Sequence, residues 1–299
     1  MALIALKIDV DTFRGTREGA MRLAALLERL DVRATFLFSL GPDHTGRAIR
    51  RAFRRGFLGK VRRTSVLEHY GLKTLMYGVL LPGPHIGRRC ADQMRSIGER
   101  GFEVGVHTHD HVRWQDGVSR ADEAWTRREL TLARDEFASV FGRMPVVHGA
   151  AGWQMNPFVP ALERELGFRY ASDTRGSAPF LPVLESGASG VPQLPTTLPT
   201  LDELIGRPDL GGVDPVDHLI ALTAATPNRD QVFTLHAELE GGVYLAGFER
   251  LLGSWRGAGF ELADLGTYAG RLHLKGLPPA RIAEGEVAGR SGPLAVQAA

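Results

Sequence analysis

Residues 3–11 read LIALKIDVD, an apolar run that ends in two carboxylates, Asp9 and Asp11, separated by one residue. Far downstream a second apolar run, residues 102–106, leads into His107-Thr108-His109-Asp110-His111. Strand side chains alternate with a period of two, so Asp9 and Asp11 reach the same side of a strand end. A helical turn beginning at the histidine cluster brings His107 and His111 to one side as well. Two carboxylates and two imidazoles so placed can hold a divalent metal and leave one carboxylate free as a base. Oxygen and imidazole donors suit zinc, manganese, cobalt or iron, and a water bound to such an ion becomes a nucleophile near neutral pH. The pattern points to a metal-dependent hydrolase.

Outward from these clusters, short apolar runs alternate with amphipathic stretches. Residues 3–8, 34–38, 102–106, 144–147, 168–171, 191–194 and 231–235 read as strands. Residues 17–30, 87–100, 120–141, 157–166, 215–225 and 244–257 read as helices, several of them stopped by a glycine. Seven such strands alternating with helices predict mostly parallel β/α packing, either a barrel or a doubly wound sheet. The polar residues favour the barrel. Asp9, Asp11, His107, His111, Asp173, Thr196, Thr197 and His236 all fall at or just beyond strand ends, which in a barrel converge on one face. A doubly wound sheet would gather its site at the switch point and use fewer strands. No Gly-x-Gly-x-x-Gly follows the first strand and no Walker loop occurs, so nucleotide binding is not expected.

With 299 residues, 43% hydrophobic and 23% charged, the chain can build one large α/β domain or two smaller ones. A net charge of +2 is too small to argue for nucleic acid. The single cysteine, Cys90, cannot form an internal disulfide. No signal-peptide pattern is read at the start, and no window approaches the roughly 20 apolar residues of a membrane-spanning helix. Any membrane contact is expected to be peripheral.

These ordered residues resemble the NodB-type polysaccharide deacetylases, carbohydrate esterases that remove N-acyl groups from amino sugars. Asp9 and Asp11 match the end of the family's first motif, His107, Thr108 and His111 its His-(Ser/Thr)-x-x-His motif, and Leu235-His236 its last. Longer stretches are similar to the ArnD-type deformylase branch: IDVDTFRGTREG (8–19), GPD (41–43), AAGW (150–153), SDTRG (172–176), LPTTLPT (194–200), IGR (205–207) and HAELEG (236–241). The resemblance runs from about residue 3 to beyond residue 265. It implies a distorted (β/α) barrel of about seven parallel strands, with Asp11, His107 and His111 binding a divalent cation (zinc, manganese or cobalt) and Asp9 as general base. His236 fits a general acid, because amide hydrolysis must expel an amine and an imidazolium can protonate it. Many family members carry an arginine in a third motif that orients the base. Here that stretch is His148-Gly149-Ala150-Ala151-Gly152-Trp153, with no arginine, and Arg175 is the candidate by elimination. Asp173 and Arg175 are expected to orient catalytic groups or bind the sugar phosphate. Trp153 either stacks on sugar or packs, and His109 is expected outside the ligand set.

The connection over residues 41–84 is unusually long for a β/α unit and mixes arginines (Arg47, Arg50, Arg51, Arg54, Arg55, Arg62, Arg63) and Lys60 with apolar residues. It suits an anionic membrane surface, or else a packed lid with a solvated basic face. One domain is expected over residues 1–278, with 279–299 a flexible tail. The branch resemblance implies hydrolysis of the N-formyl group of undecaprenyl-phosphate-linked 4-deoxy-4-formamido-L-arabinose at the cytoplasmic face of the bacterial inner membrane. The product serves lipid A modification and resistance to cationic peptides such as polymyxin. The alternatives are an N-deacetylase of another amino sugar or cell-wall glycan, and a non-catalytic lipid-sugar-binding relative.

Overall fold

A computed structural model describes residues 1–48 and 74–298. In chain order the strands are β1 (Leu3–Val10), β2 (Thr35–Ser39), β3 (Glu103–Thr108), β4 (Val147–His148), β5 (Tyr170–Ala171), β6 (Leu181–Pro182), β7 (Gln231–His236), β8 (Glu261–Ala263), β9 (Pro279–Gly285) and β10 (Leu294–Ala298). Seven of them form one sheet in the order β5-β4-β3-β2-β1-β7, with β8 paired to the start of β1. Every pairing in this sheet is parallel. The sheet curls, and its two ends are bridged by an irregular segment. Leu194 N–H donates to the Ala171 carbonyl at 2.8 Å and Thr197 N–H to the Val232 carbonyl at 3.1 Å. Residues 191–194, expected as a strand, therefore fill the strand's place through isolated bridges. Pro192 and Pro195 lack the N–H groups a regular ladder needs.

The alternation of side chains along each strand builds two cores. In β1, Ile4, Leu6, Ile8 and Val10 face outward into the helices, with Phe36 and Phe38 of β2 and Phe233 and Leu235 of β7. Helices Ala20–Arg29, Ala91–Glu99, Glu123–Phe141 and Leu245–Gly257 cover that surface with Leu23, Leu27, Met94, Ile97, Phe137, Leu251 and Trp255. The opposite row of β1 begins with Leu3 and Ala5, which meet Leu37, Val147, Tyr170, Leu194 and Val232 inside the curl. That row continues through Lys7 and Asp9, both buried. The interior is thus apolar at the strand N-termini and polar at their C-terminal ends, where β/α barrels place their sites.

Residues 279–299, expected to be a flexible tail, are ordered as far as Ala298. β9 and β10 pair antiparallel, and β9 adds to β6 in a second, three-stranded sheet. The hairpin is tied to the barrel by Arg175 N–H to the Ala295 carbonyl at 2.9 Å and by Gln297 N–H to the Arg175 carbonyl at 2.7 Å. The small residues of this stretch pack at an edge rather than fray. Of the basic connection, Arg50, Arg51, Arg54, Arg55, Lys60, Arg62 and Arg63 lie outside the described residues. No helix among the described residues is long and apolar enough to cross a membrane.

Candidate functional site

Register brings the expected residues together. Asp9 on β1 lies beside Leu37 on β2 and beside His236 on β7. His107 comes from β3, and His111 opens the helix His111–Gly117, whose N-cap Asp110 accepts from Arg113 N–H. Asp11 Oδ1 lies 3.2 Å from His107 Nε2 and 3.4 Å from His111 Nε2. Neighbouring ligands of a tetrahedral ion with bonds of about 2.0 Å stand about 3.3 Å apart. His107 Nδ1–H donates to the Gly149 carbonyl at 2.6 Å. That bond fixes the tautomer and leaves Nε2 a lone pair aimed at the Asp11 carboxylate. Two acceptors facing each other at this distance suit a cation between them, and Asp11 Oδ1 has no hydrogen-bond partner among the described residues. Asp11, His107 and His111 therefore fit a divalent metal. Burial opposes ionisation of Asp11, but His111, His107 and His236 outweigh it and hold the carboxyl well below its usual range. His109 takes no part: its carbonyl accepts from Gly41 N–H, and its ring lies 6.0 Å from that of His85.

Asp9 is held from below. Lys7, one step down the same inner row, is wholly buried and places Nζ 3.4 Å from Asp9 Oδ2 and 2.9 Å from the Ser172 carbonyl. Room for its chain comes from Gly149, where a Cβ would overlap Leu37 and crowd Lys7 Cε. The expectation that Arg175 orients Asp9 is corrected: Arg175 pairs with Glu203, donates to the Leu198 carbonyl at 3.0 Å, and leaves Asp9 to Lys7. The other Asp9 oxygen, Oδ1, is buried without a hydrogen-bond partner among the described residues, and His107 Nδ1 is 3.8 Å away.

His236 faces Asp202, with Nδ1 3.6 Å from Oδ1. Burial works against its charge, yet Asp202, then Asp11 and Asp9, raise the imidazole above its ordinary pKa. Asp202 is itself held by Thr200 Oγ1 at 2.5 Å and by Arg290 at 3.0 Å, and it stays below the usual carboxylate range because Arg290 and His236 outweigh its burial. Arg290 arrives on the loop between β9 and β10 and also pairs with Glu203 at 2.8 Å. Trp153 lies under this group. Its ring is 1% exposed and carries Arg290 at 4.5 Å, Arg175 at 5.1 Å and Lys7 at 5.2 Å, so the residue packs as a wall. Its φ of +53° is an unusual conformation for a bulky side chain. Two further carboxylates shape the strand ends. Glu238 accepts from the N–H groups of Asp11 at 3.1 Å and Thr12 at 2.9 Å, and burial followed by the Asp11 charge pushes it up to about 8. Glu240 accepts from His236 N–H at 2.9 Å.

Asp173 is placed behind the site, not in it. Alternation along β5 points Tyr170 inward and Ala171 outward, and two residues on from Ala171 the Asp173 carboxylate also lies outside, with His148 and Glu163. His148 Nδ1–H donates to Glu163 at 2.6 Å and lies 3.1 Å from Asp173. The shorter separation is a hydrogen bond and too close for two ligands of one ion. Burial disfavours the His148 charge, but Asp173 and Glu163 raise it to about 10. Asp173 Oδ1 also accepts Ala150 N–H at 2.7 Å, so the cluster braces the 148–150 segment whose Gly149 carbonyl orients His107.

The chain is similar to known proteins along nearly its whole length. A family model described as polysaccharide deacetylase matches residues 3–171. A curated relative from Shewanella sediminis (strain HAW-EB3), named "Probable 4-deoxy-4-formamido-L-arabinose-phosphoundecaprenol deformylase ArnD", is 36% identical over 249 residues, 83% of this chain and 80% of its own. A relative of the same name from Wigglesworthia glossinidia brevipalpis is 30% identical over 284 residues, 95% of this chain and 98% of its own. Among solved structures, a candidate polysaccharide deacetylase of Mycobacterium smegmatis has the same fold, with a TM-score of 0.64 at 20% identity over 96% of this chain and 95% of that one.

Proposed function

The chain belongs to the polysaccharide deacetylase family, and we propose that it hydrolyses the N-formyl group of undecaprenyl-phosphate-linked 4-deoxy-4-formamido-L-arabinose in a metal-dependent reaction, giving formate and the free 4-amino sugar lipid. The observation that carries this reading is the Asp11–His107–His111 cluster, with Asp9, one oxygen of which has no hydrogen-bond partner among the described residues, and His236 beside it. The name shared by the two relatives supplies the substrate class. A zinc, manganese or cobalt ion held by Asp11, His107 and His111 would supply Lewis-acid polarisation and make water a nucleophile near neutral pH. Asp9 takes the proton of the attacking water as the new C–O bond forms. His236, kept protonated by Asp202, gives a proton to the nitrogen as the C–N bond breaks, and the amine leaves neutral. Lys7 holds Asp9 in place, and Arg290 with Thr200 holds Asp202.

The substrate's polyprenyl chain stays in the bilayer, since each exposed CH₂ costs about 0.8 kcal/mol. The protein therefore works at a membrane surface, and the proposal sets it at the cytoplasmic face of the bacterial inner membrane, as a peripheral enzyme of lipid A modification. The turn at Val79, Leu80 and Leu81, whose Leu80 is 77% exposed, supports contact with that surface. The family also favours a second reading, removal of an acetyl group from another amino sugar. Mass spectrometry of formamido- and acetamido-sugar lipids after incubation with the metal-loaded protein separates the two. The proposal expects formate from the first and little turnover of the second. Acetate as the preferred product selects the deacetylase reading, and no turnover of either rejects both.

A further inference from the structure

A cavity of about 300 Å³ adjoins the cluster, walled by Phe13, Arg14, Arg17, Tyr77, Leu81 and Arg89 among others, with no acidic side chain in its described lining. It opens close to the catalytic face. Phe13 follows Asp11 by two residues, and its N–H donates to Asp43 at 2.9 Å, while Asp43 N–H donates to the carbonyl of Pro84, another wall residue, at 3.0 Å. Arg17 and Arg89 set their guanidinium groups over the Phe13 ring at 5.5 and 5.0 Å. Among the described residues Glu18 pairs with Arg17 at 2.6 Å, and no carboxylate pairs with Arg89. Arg89 differs in this respect from the arginines next to His236, because Arg175 and Arg290 are matched by Glu203 and Asp202. Leu81 continues from the cavity wall into the exposed apolar turn with Val79 and Leu80.

We propose that this cavity is the subsite for the phosphodiester of a lipid-linked substrate, bound by Arg17 and Arg89, with the prenyl chain leaving over Val79–Leu81. The inference rests on the deformylase reading and adds a place for the phosphate. Guanidinium groups offer paired N–H donors that match phosphate oxygens, and stacking on Phe13 holds them ready. An apolar rim beside an anion site fits a ligand whose charge is followed directly by hydrocarbon.

The test compares the metal-loaded parent with an Arg17→Gln/Arg89→Gln double variant, using geranyl phosphate, inorganic phosphate and vesicles containing phosphatidylglycerol as probes. Loss of two charge-assisted contacts should weaken geranyl phosphate binding by at least about tenfold, and Arg89→Lys alone should lose less than Arg89→Gln. Equal affinity of parent and double variant for geranyl phosphate overturns the proposal. So does a variant that loses vesicle binding but keeps geranyl phosphate, because the arginines would then be a membrane patch. Inorganic phosphate binding much weaker than geranyl phosphate, with both reduced in the variant, supports a site for the lipid-linked group over one for free phosphate. In turnover, the ratio of kcat/KM for a phosphate-linked over a phosphate-free formamido sugar should fall by about tenfold, and an unchanged ratio counts against the subsite. A parent that releases no formate yet binds geranyl phosphate through these arginines refutes the deformylase reading and leaves the subsite standing.

Discussion

Lys7 is a charge inside the barrel, and what it touches accounts for its presence. Burial of an ammonium costs several kcal/mol unless it is paired, and Lys7 is paired with Asp9 and the Ser172 carbonyl. Lys7→Met strands the Asp9 carboxylate in a low-dielectric interior. We expect a loss of about 3–5 kcal/mol in denaturant unfolding, the usual cost of breaking a buried pair. Turnover should fall while bound metal is retained, and a variant as stable and active as the parent would refute this role. Asp202 acts on the opposite proton. It is the largest influence raising His236, and with His236 as the proposed general acid, activity should fall as pH rises through the His236 pKa. Asp202→Asn should move the alkaline limb of kcat to lower pH, toward the ordinary imidazole value of about 6.5. An unmoved limb would detach Asp202 from the acid. Lys7 could have been read from the sequence in place of Arg175, since a lysine two positions before Asp9 in an otherwise apolar strand shares its inner row. Asp202 was not, because its approach to His236 depends on how the chain returns after a proline-rich segment.

At the scale of elements, the β9–β10 hairpin completes the site from outside the barrel. Gly289, at φ +89°, packs so closely on the Glu203 backbone that any Cβ would overlap it, and this approach delivers Arg290 to Asp202. Arg290→Met should lower kcat through Asp202, so combining it with Asp202→Asn should cost no more than Asp202→Asn alone; multiplied losses would show independent roles. Composition hid this hairpin, because short strands rich in alanine and glycine carry little hydrophobic pattern. Alternation would have placed Asp173 correctly. An inward Tyr170 sends residues 171 and 173 outward, against the helix Val159–Glu165 that carries Glu163. The His148 cluster there makes a pH prediction. His148 is raised to about 10 in the fold, so its contribution is complete below its unfolded value of about 6.5 and is lost as pH climbs through about 10. Thermal midpoints should fall across that window, and His148→Gln should flatten the fall. Identical slopes in parent and variant would contradict the assignment.

For the whole molecule, the parallel barrel explains why residues scattered over the chain act as one site. Strands β1, β3 and β7 end on one face, so Asp9, Asp11, His107 and His236 meet although no local segment joins them. The seven-strand pattern and the ends that bear chemistry were readable because central parallel strands are long apolar runs. The ring closure was not, since residues 191–198 complete it without a ladder. On the proposed mechanism this face holds a metal on Asp11, His107 and His111 and uses Asp9 beside it as a base. The most direct test is formate release per bound metal, measured on the same samples of the parent, His111→Ala and Asp9→Asn. His111→Ala should lose most metal and turnover together, whereas Asp9→Asn should keep its metal and lose about 10²–10⁴ in rate. Full metal and full turnover in His111→Ala, or an Asp9→Asn protein that releases formate at the parental rate, would contradict it.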